Sequence, residues 1–169
     1  MAENKAGASA AKDTSDREIV LTRVFDAPRE LVWNAWTDPK QVSQWWGPKG
    51  FTTTIYEMDV RPGGVWRQTM HGPDGTDYPN EIRFIEVVKP ERIAYSMVGG
   101  KKGETAHQFE ATWTFEVLSK TQTRLTLRMV FASGAVRDHI ERTYRAIEGG
   151  TQTLGRLAEY LLKTGAKRN

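Results

Sequence analysis

The sequence predicts an α+β protein in which a curved, seven-stranded antiparallel sheet wraps round a long C-terminal helix. Three observations support this prediction. A first strand is followed by two short helical patterns, the hydrophobic period changes to two from Phe51 onward, and the last segment carries an apolar stripe of helical spacing. The helix stripe and one face of the sheet are the only two large apolar surfaces, so each must be buried against the other. The order of one strand, two short helices, six strands and a long helix therefore predicts that the long helix covers the sheet.

The first elements are marked by proline and glycine. Residues 17–25 alternate as a strand does, and Asp26-Ala-Pro28 ends that strand. Proline suits the first turn of a helix, which predicts helices over 28–36 and over 39 to about 45. The second helix should stop at Gly47-Pro48, because proline cannot continue a helix.

Turn residues then recur at short intervals, as in Arg61-Pro-Gly-Gly64 and Gly72-Pro-Asp-Gly75. Connections this short make neighbouring strands antiparallel. The six predicted strands span residues 51–60, 64–71, 79–88, 92–98, 105–118 and 122–131.

The final segment, 135–163, is predicted to be one long helix. Its apolar stripe consists of Ile140, Tyr144, Ile147, Thr151, Leu154, Leu157, Ala158 and Leu161. Gly149 and Gly150 interrupt it at a cost of about 1 kcal/mol each relative to alanine. We therefore expect either the close approach of another backbone or a gap opposite bulky side chains.

Composition limits the class of protein. The 169 residues fit one domain, which we place at 17–163 between a disordered leader, 1–16, and a flexible basic tail, 164–169. No cysteine is present, and no apolar run suits a signal peptide or a membrane span, so we expect a soluble, cytoplasmic protein. The net charge is +3 with scattered basic residues, which argues against a nucleic-acid partner.

Several motifs together carry a family resemblance. They are Phe25-Asp-Ala-Pro28, Val32-Trp33, Trp36-Thr-Asp-Pro39, Trp45-Trp46-Gly-Pro48, Gly50-Phe51, Arg61-Pro-Gly-Gly64, Gly72-Pro-Asp-Gly75 and Leu157-Ala-Glu-Tyr-Leu161. With these motifs the chain resembles the SRPBCC (START-like) superfamily, and within it the branch named for homologues of the activator of the heat-shock-protein-90 ATPase. The resemblance implies the helix-grip fold with a hydrophobic cavity. It leaves function open among carriers of lipids, sterols and hormones, polyketide aromatases and cyclases, self-resistance proteins and co-chaperones. Similar proteins often carry a bulky residue where this chain has Gly150, which implies a different pocket shape.

Four of the six tryptophans lie within residues 31–51, and such a cluster lines either a core or the mouth of an apolar pocket. Alternation along the predicted strands places one set of aromatic residues and methionines inward, together with His107, Ala111, Phe115 and Val117. The candidate ligand-binding residues are Trp46, Phe51, Trp66, Gln68, Met70, Phe84, Tyr95, Met97, His107, Phe109, Trp113, Met129, Phe131, Tyr144, Ile147 and Gly150.

These residues favour binding of a small hydrophobic or aromatic molecule by a monomer or weak homodimer. The alternatives are a cyclase-, aromatase- or hydrolase-like enzyme, and a co-chaperone-like regulator of a chaperone ATPase. If the protein is an enzyme, His107, Tyr95 and Glu110 are the candidate acid and base residues. The three histidines show no metal-ligand spacing and no phosphate-binding loop is present, so we predict no metal and no cofactor.

Overall fold

The computed structural model describes residues 13–168, with side chains described up to Thr164. It confirms the α+β class, the seven antiparallel strands and the long C-terminal helix. The strands are β1 (Glu18–Phe25), β2 (Thr52–Met58), β3 (Val65–His71), β4 (Asp77–Val88), β5 (Arg92–Gly99), β6 (His107–Ser119) and β7 (Gln122–Val130). The helices are α1 (Arg29–Thr37), α2 (Pro39–Val42), α3 (Gly134–Tyr144) and α4 (Ala146–Arg168), and a 3₁₀ turn spans Ser15–Arg17.

The sheet is a meander to which the first strand is added. Its order is β1-β7-β6-β5-β4-β3-β2, and every neighbouring pair is antiparallel. Strand β1 pairs with β7 from Glu18 opposite Val130 to Phe25 opposite Thr123. Strands β1 and β2 are the two edge strands, and helices α1 and α2 form the connection between them in the chain. Helix α1 packs on β6 through the Trp33 and Phe115 rings.

Helix α2 is shorter than predicted. The Asp38 side chain accepts a hydrogen bond from the Lys40 N–H and so caps its start. The helix ends at Val42, and a turn follows in which Trp45 and Trp46 donate their N–H groups to the Val42 carbonyl. The helix therefore ends about one turn before the predicted stop at Gly47. After Val42 the chain continues as a hydrogen-bonded turn and not as a regular helix.

The prediction of a single helix over 135–163 is wrong. Arg145 has a φ of 55°, which ends α3, and α4 begins at Ala146. The Glu141 carboxylate accepts a hydrogen bond at 2.8 Å from the Ile147 N–H and so caps the new helix. Helix α4 then continues to Arg168 and includes most of the segment predicted as a tail.

Part of the predicted leader belongs to the folded domain. Thr14 is buried, and its hydroxyl donates a hydrogen bond to the Glu18 carboxylate. Arg128 on β7 also donates to Glu18. Residues 13–16 are therefore attached to the sheet, whereas residues 1–12 of the leader and Asn169 of the tail lie outside the described residues.

The tryptophan segment forms the centre of the core. Trp36 is fully buried, and its ring lies 5.5–5.7 Å from those of Trp46, Trp66 and Trp113, all three near-perpendicular to it. Such edge-to-face pairs are favourable beyond the area that they bury. Trp45 is also fully buried and donates its indole N–H to the Ala35 carbonyl. Most of the cluster therefore builds the core, and only its edge reaches a pocket.

The predicted alternation holds along most of the sheet. On β6 the buried positions are Ala111, Trp113 and Phe115, with Thr112 half-buried and Thr114 exposed between them. The inward placement of Val117 is wrong, since Val117 is 51% exposed at the irregular end of the β6–β7 pairing.

Candidate functional site

Two adjoining hollows lie between the inner face of the sheet and the C-terminal helices. Their shared lining consists of Met70, Met97, Phe109, Met129, Tyr144 and Ala146. The α3 hollow, of about 180 Å³, adds Tyr78, Asn80, Gly99, Gly100, His107, Phe131 and Ile140. The α4 hollow, of about 170 Å³, adds Trp46, Gly47, Pro48, Tyr95, Trp113, Leu127, Gly149, Gly150 and Thr153.

The lining is apolar and deformable. Met70, Met97 and Met129 lie at the junction of the two hollows, and methionine adapts its shape more readily than a branched or aromatic side chain. Within the described residues, neither lining contains Asp, Glu, Lys or Arg. A charged group would enter without a counter-charge, so the hollows favour neutral molecules.

The polar groups of the α3 hollow gather at Gly99 and Gly100. A β-carbon on Gly99 would overlap the side-chain oxygen of Asn80, and one on Gly100 would lie 3.1 Å from the Tyr144 hydroxyl. The His107 ring packs beside Tyr144, with 5.3 Å between the ring centroids. The two glycines therefore make room for three polar side chains at one end of the hollow.

Tyr95 lines the α4 hollow as a neutral phenol. Its hydroxyl accepts a hydrogen bond at 3.1 Å from the Trp113 indole N–H. Complete burial raises the pKa of Tyr95 far above its ordinary value of 10.0. Burial also raises the pKa of Tyr78 in the α3 hollow. Both phenols therefore stay protonated at neutral pH and cannot act as bases.

Arg156 of α4 fixes the wall of the α4 hollow. Its guanidinium donates to the carbonyl oxygens of Gly47 at 3.0 Å and Pro48 at 3.1 Å, with longer contacts to those of Trp46 and Gln44. Burial lowers the pKa of Arg156. The arginine joins the end of the tryptophan segment to the C-terminal helix.

The glycine pair of α4 allows side chains, not another backbone, to approach the helix. A β-carbon on Gly150 would overlap the Leu21 side chain of β1, and one on Gly149 would lie 3.3 Å from the Pro48 ring. One side of Gly150 is therefore occupied by Leu21, although the residue also borders the α4 hollow.

Most of the predicted ligand-binding residues line the hollows, and five do not. Trp66 and Phe84 are buried within the tryptophan core. Phe51 packs against Tyr78 behind the α3 hollow, and Ile147 is 37% exposed. Gln68 is 1% exposed, with no hydrogen-bond partner for its amide among the described residues.

Of the three candidate acid and base residues, only His107 and Tyr95 border the hollows. Glu110 is exposed and lies opposite Ser96 in the β5–β6 pairing. Alternation on β6 places it on the outer face, so it cannot act on a molecule held between sheet and helices.

Several lining residues were missed from the sequence. Asn80 shares the parity of Ile82 and Phe84 on β4, so alternation alone could have found it. Gly99 and Gly100 fall between the predicted strands 92–98 and 105–118, although Gly99 is the last residue of β5. Ile140 is in the predicted apolar stripe but is not among the predicted site residues, and Ala146 is the first residue of α4, after a break that the sequence does not predict.

A larger pocket, of about 640 Å³, lies beside the segment 98–106 and has a mixed lining. Arg67 and Lys101 there are paired with Glu57 at 3.0 Å and Glu104 at 4.0 Å. Acidic and basic side chains are mixed in this lining, so the pocket favours neither anionic nor cationic ligands.

The described side chains include no group of three or more His, Cys, Asp or Glu residues arranged to hold a metal ion. Among residues 13–168, no helix combines the length and the apolar character of a membrane span.

Comparison with known structures places this geometry in a wider group. A crystal structure from Mycobacterium smegmatis is 25% identical, with a TM-score of 0.79, over 90% of this chain and 95% of that chain. One from Chromobacterium violaceum is 28% identical, with a TM-score of 0.69, over 84% and 95%. A solution structure from Arthrobacter aurescens, 24% identical with a TM-score of 0.80 over 90% of both chains, shares the fold. No curated protein matches the chain at a significant level.

The family model described as "Activator of Hsp90 ATPase homolog 1-like protein" matches residues 26–162. This range begins after β1 and ends within α4, so it includes every lining residue of both hollows. The chain therefore belongs to the family of Activator of Hsp90 ATPase homolog 1-like proteins.

Proposed function

We propose that this protein binds a small, largely apolar or aromatic molecule in the α3 and α4 hollows. The observation that carries the proposal is the pair of adjoining, uncharged hollows with a methionine-rich junction. An engineered apolar cavity of about 150 Å³ takes up benzene. Each hollow is therefore large enough for one ring, and a two-ring molecule fits the pair.

Energetics support occupation of the hollows. At about 24 cal/mol per Å³ of apolar void, the α3 hollow of about 180 Å³ would cost about 4 kcal/mol if neither water nor a ligand entered it. Stabilities of single domains are about 5–15 kcal/mol, so this cost is a substantial fraction of the total. A ligand that fills the hollow removes the cost and contributes its own buried apolar area.

The test is a titration with N-phenyl-1-naphthylamine, a neutral fluorophore with one phenyl and one naphthyl group, whose emission rises in an apolar environment. We expect saturable binding and a rise in melting temperature, since a ligand at about 100 times its Kd stabilises by about 2.7 kcal/mol. Absence of both effects would contradict the proposal.

A filling variant locates the binding. Ala146 borders both hollows, so Ala146→Leu should abolish binding of the fluorophore while the protein stays folded. The matched control is Ala135→Leu, which makes the same change at an exposed position of α3. Equal binding by the two variants would place the fluorophore elsewhere.

One observation favours an enzyme as the second candidate. His107 borders the α3 hollow and lies beside both Tyr144 and His139, with 5.5 Å between the two imidazole centroids. A histidine so placed can exchange a proton with a bound molecule. His107→Ala should then remove turnover and leave affinity unchanged, whereas equal loss of both would favour the binding proposal.

The third hypothesis, regulation of a chaperone ATPase, is suggested by the family description and stays a prediction. Measuring the ATP hydrolysis rate of a heat-shock-protein-90-type chaperone with and without this protein tests it. An unchanged rate at saturating protein would contradict it.

A further inference from the structure

Two buried polar groups in the α3 hollow lack partners. Asn80 is 5% exposed, and its side-chain nitrogen makes no hydrogen bond to any described residue. The Tyr144 hydroxyl is buried and makes none either. Buried donors in native proteins are nearly always paired, so each unpaired donor needs an explanation.

The two residues meet the chain at neighbouring glycines. Asn80 is on β4 and packs its side-chain oxygen against Gly99, whereas Tyr144 is the last residue of α3 and packs its hydroxyl against Gly100. Both residues also line the α3 hollow. A residue larger than glycine at either position would displace them, as the overlap at Gly99 shows.

The atoms involved define what they can bind. The Asn80 nitrogen is only a donor, and the Tyr144 hydroxyl can donate. An oxygen with two lone pairs can accept from both. A carboxylate would also accept, but its charge would be buried without a cationic side chain in the lining of the described residues.

We propose that Asn80 and Tyr144 select ligands that carry a neutral acceptor oxygen, such as a ketone or amide carbonyl, at the Gly99–Gly100 end of the α3 hollow. This inference rests on the proposed function, because it assigns the polar end of the same ligand. The apolar remainder of the ligand extends past the methionines toward the α4 hollow.

Three probes of matched shape test the inference: 2-acetylnaphthalene, its hydrocarbon analogue 2-ethylnaphthalene, and 2-naphthoate. In a hollow without donors the hydrocarbon would bind more tightly, because the ketone gives up hydrogen bonds to water. With the two donors present, we expect the ketone to bind about tenfold more tightly than the hydrocarbon and the carboxylate to bind most weakly.

Variants assign the preference to the named groups. Tyr144→Phe and Asn80→Leu should each reduce or reverse the preference for the ketone and leave the affinity for the hydrocarbon within about twofold. Tyr56→Phe, which removes a hydroxyl from a residue 62% exposed, should keep the tenfold preference. Circular dichroism identifies a variant that fails to fold, and the other variant then carries the test.

The outcomes separate the two proposals. If ketone and hydrocarbon bind equally in the wild type, or if 2-naphthoate binds most tightly, the inference is overturned and the proposed function stands. A tenfold preference that survives both variants also overturns it. If neither these probes nor N-phenyl-1-naphthylamine binds, the proposed function itself fails.

Discussion

Replacing Arg156 by methionine tests how the C-terminal helix is joined to the tryptophan segment. Methionine keeps an apolar stem of similar length and removes the guanidinium. The change deletes hydrogen bonds to carbonyl oxygens about 110 residues away in sequence, at Gly47 (3.0 Å) and Pro48 (3.1 Å). We expect the free energy of unfolding to fall.

The magnitude follows from which carbonyls lose their only donor. The Trp46 oxygen also accepts from the Thr53 hydroxyl, and the Pro48 oxygen from a backbone N–H, so both stay partnered. The Gly47 oxygen makes no such second bond among the described residues, whereas the Gln44 oxygen is exposed and can accept from water instead. One hydrogen bond to a charged donor contributes about 1.5–3 kcal/mol. We therefore expect a loss of about 2 kcal/mol, or about 4–8 °C in Tm for a domain of this size.

The assay is urea unfolding of the wild type, Arg156→Met, Arg156→Lys and the control Arg142→Met. Arg142 is exposed on α3, so its replacement should change stability by less than about 0.5 kcal/mol. Lysine keeps the charge but not the planar fork, so Arg156→Lys should fall between the wild type and Arg156→Met. If Arg156→Met and Arg142→Met unfold at the same urea concentration, the guanidinium does not hold the two segments together.

Three further predictions concern packing and pH. Trp36→Ala should lower the free energy of unfolding by about 3–5 kcal/mol, because a fully buried ring is removed from the aromatic core. Thermal unfolding measures this loss, and a loss below about 1 kcal/mol would contradict the central role of Trp36. Gly150→Ala should raise the free energy of unfolding by less than the about 1 kcal/mol that alanine gains over glycine in a helix, because its β-carbon would overlap the Leu21 side chain; in a Leu21→Ala background the full gain should appear, and thermal unfolding of the four proteins that shows simple additivity would contradict this contact. Hydrogen bonds from Thr14 and Arg128 lower the pKa of Glu18 below its ordinary value of 4.5, so its stabilisation is present above that pH and is lost as the pH falls through the folded-state pKa. The Tm difference between wild type and Glu18→Gln should therefore shrink in acid, and a difference that is constant with pH would refute the assignment.

The sequence predicted the sheet well because period-two alternation and turn residues are local signals. The boundaries of β3 to β7 differ from the predicted ones by two residues or fewer. The sequence did not predict the break between α3 and α4, because the helical spacing of apolar residues continues through Arg145. The cap from Glu141 to the Ile147 N–H appears only when both residues are placed in space.

The candidate site was predicted only in part, because alternation is a local signal and packing is not. Alternation correctly placed Met70, Met97 and Phe109 on the inner face, where they line the hollows. It could not separate them from Trp66 and Phe84, which share that face but are enclosed by other aromatic rings.

The sequence by itself therefore determined the order of the elements, the strand faces and the family, all of which depend on residues close together in the chain. Only the tertiary structure decided where space remains between sheet and helix. That space depends on contacts between distant segments, such as Leu21 against Gly150 and Asn80 over Gly99. Such contacts arise from the packing of whole elements, which no local pattern of residues encodes.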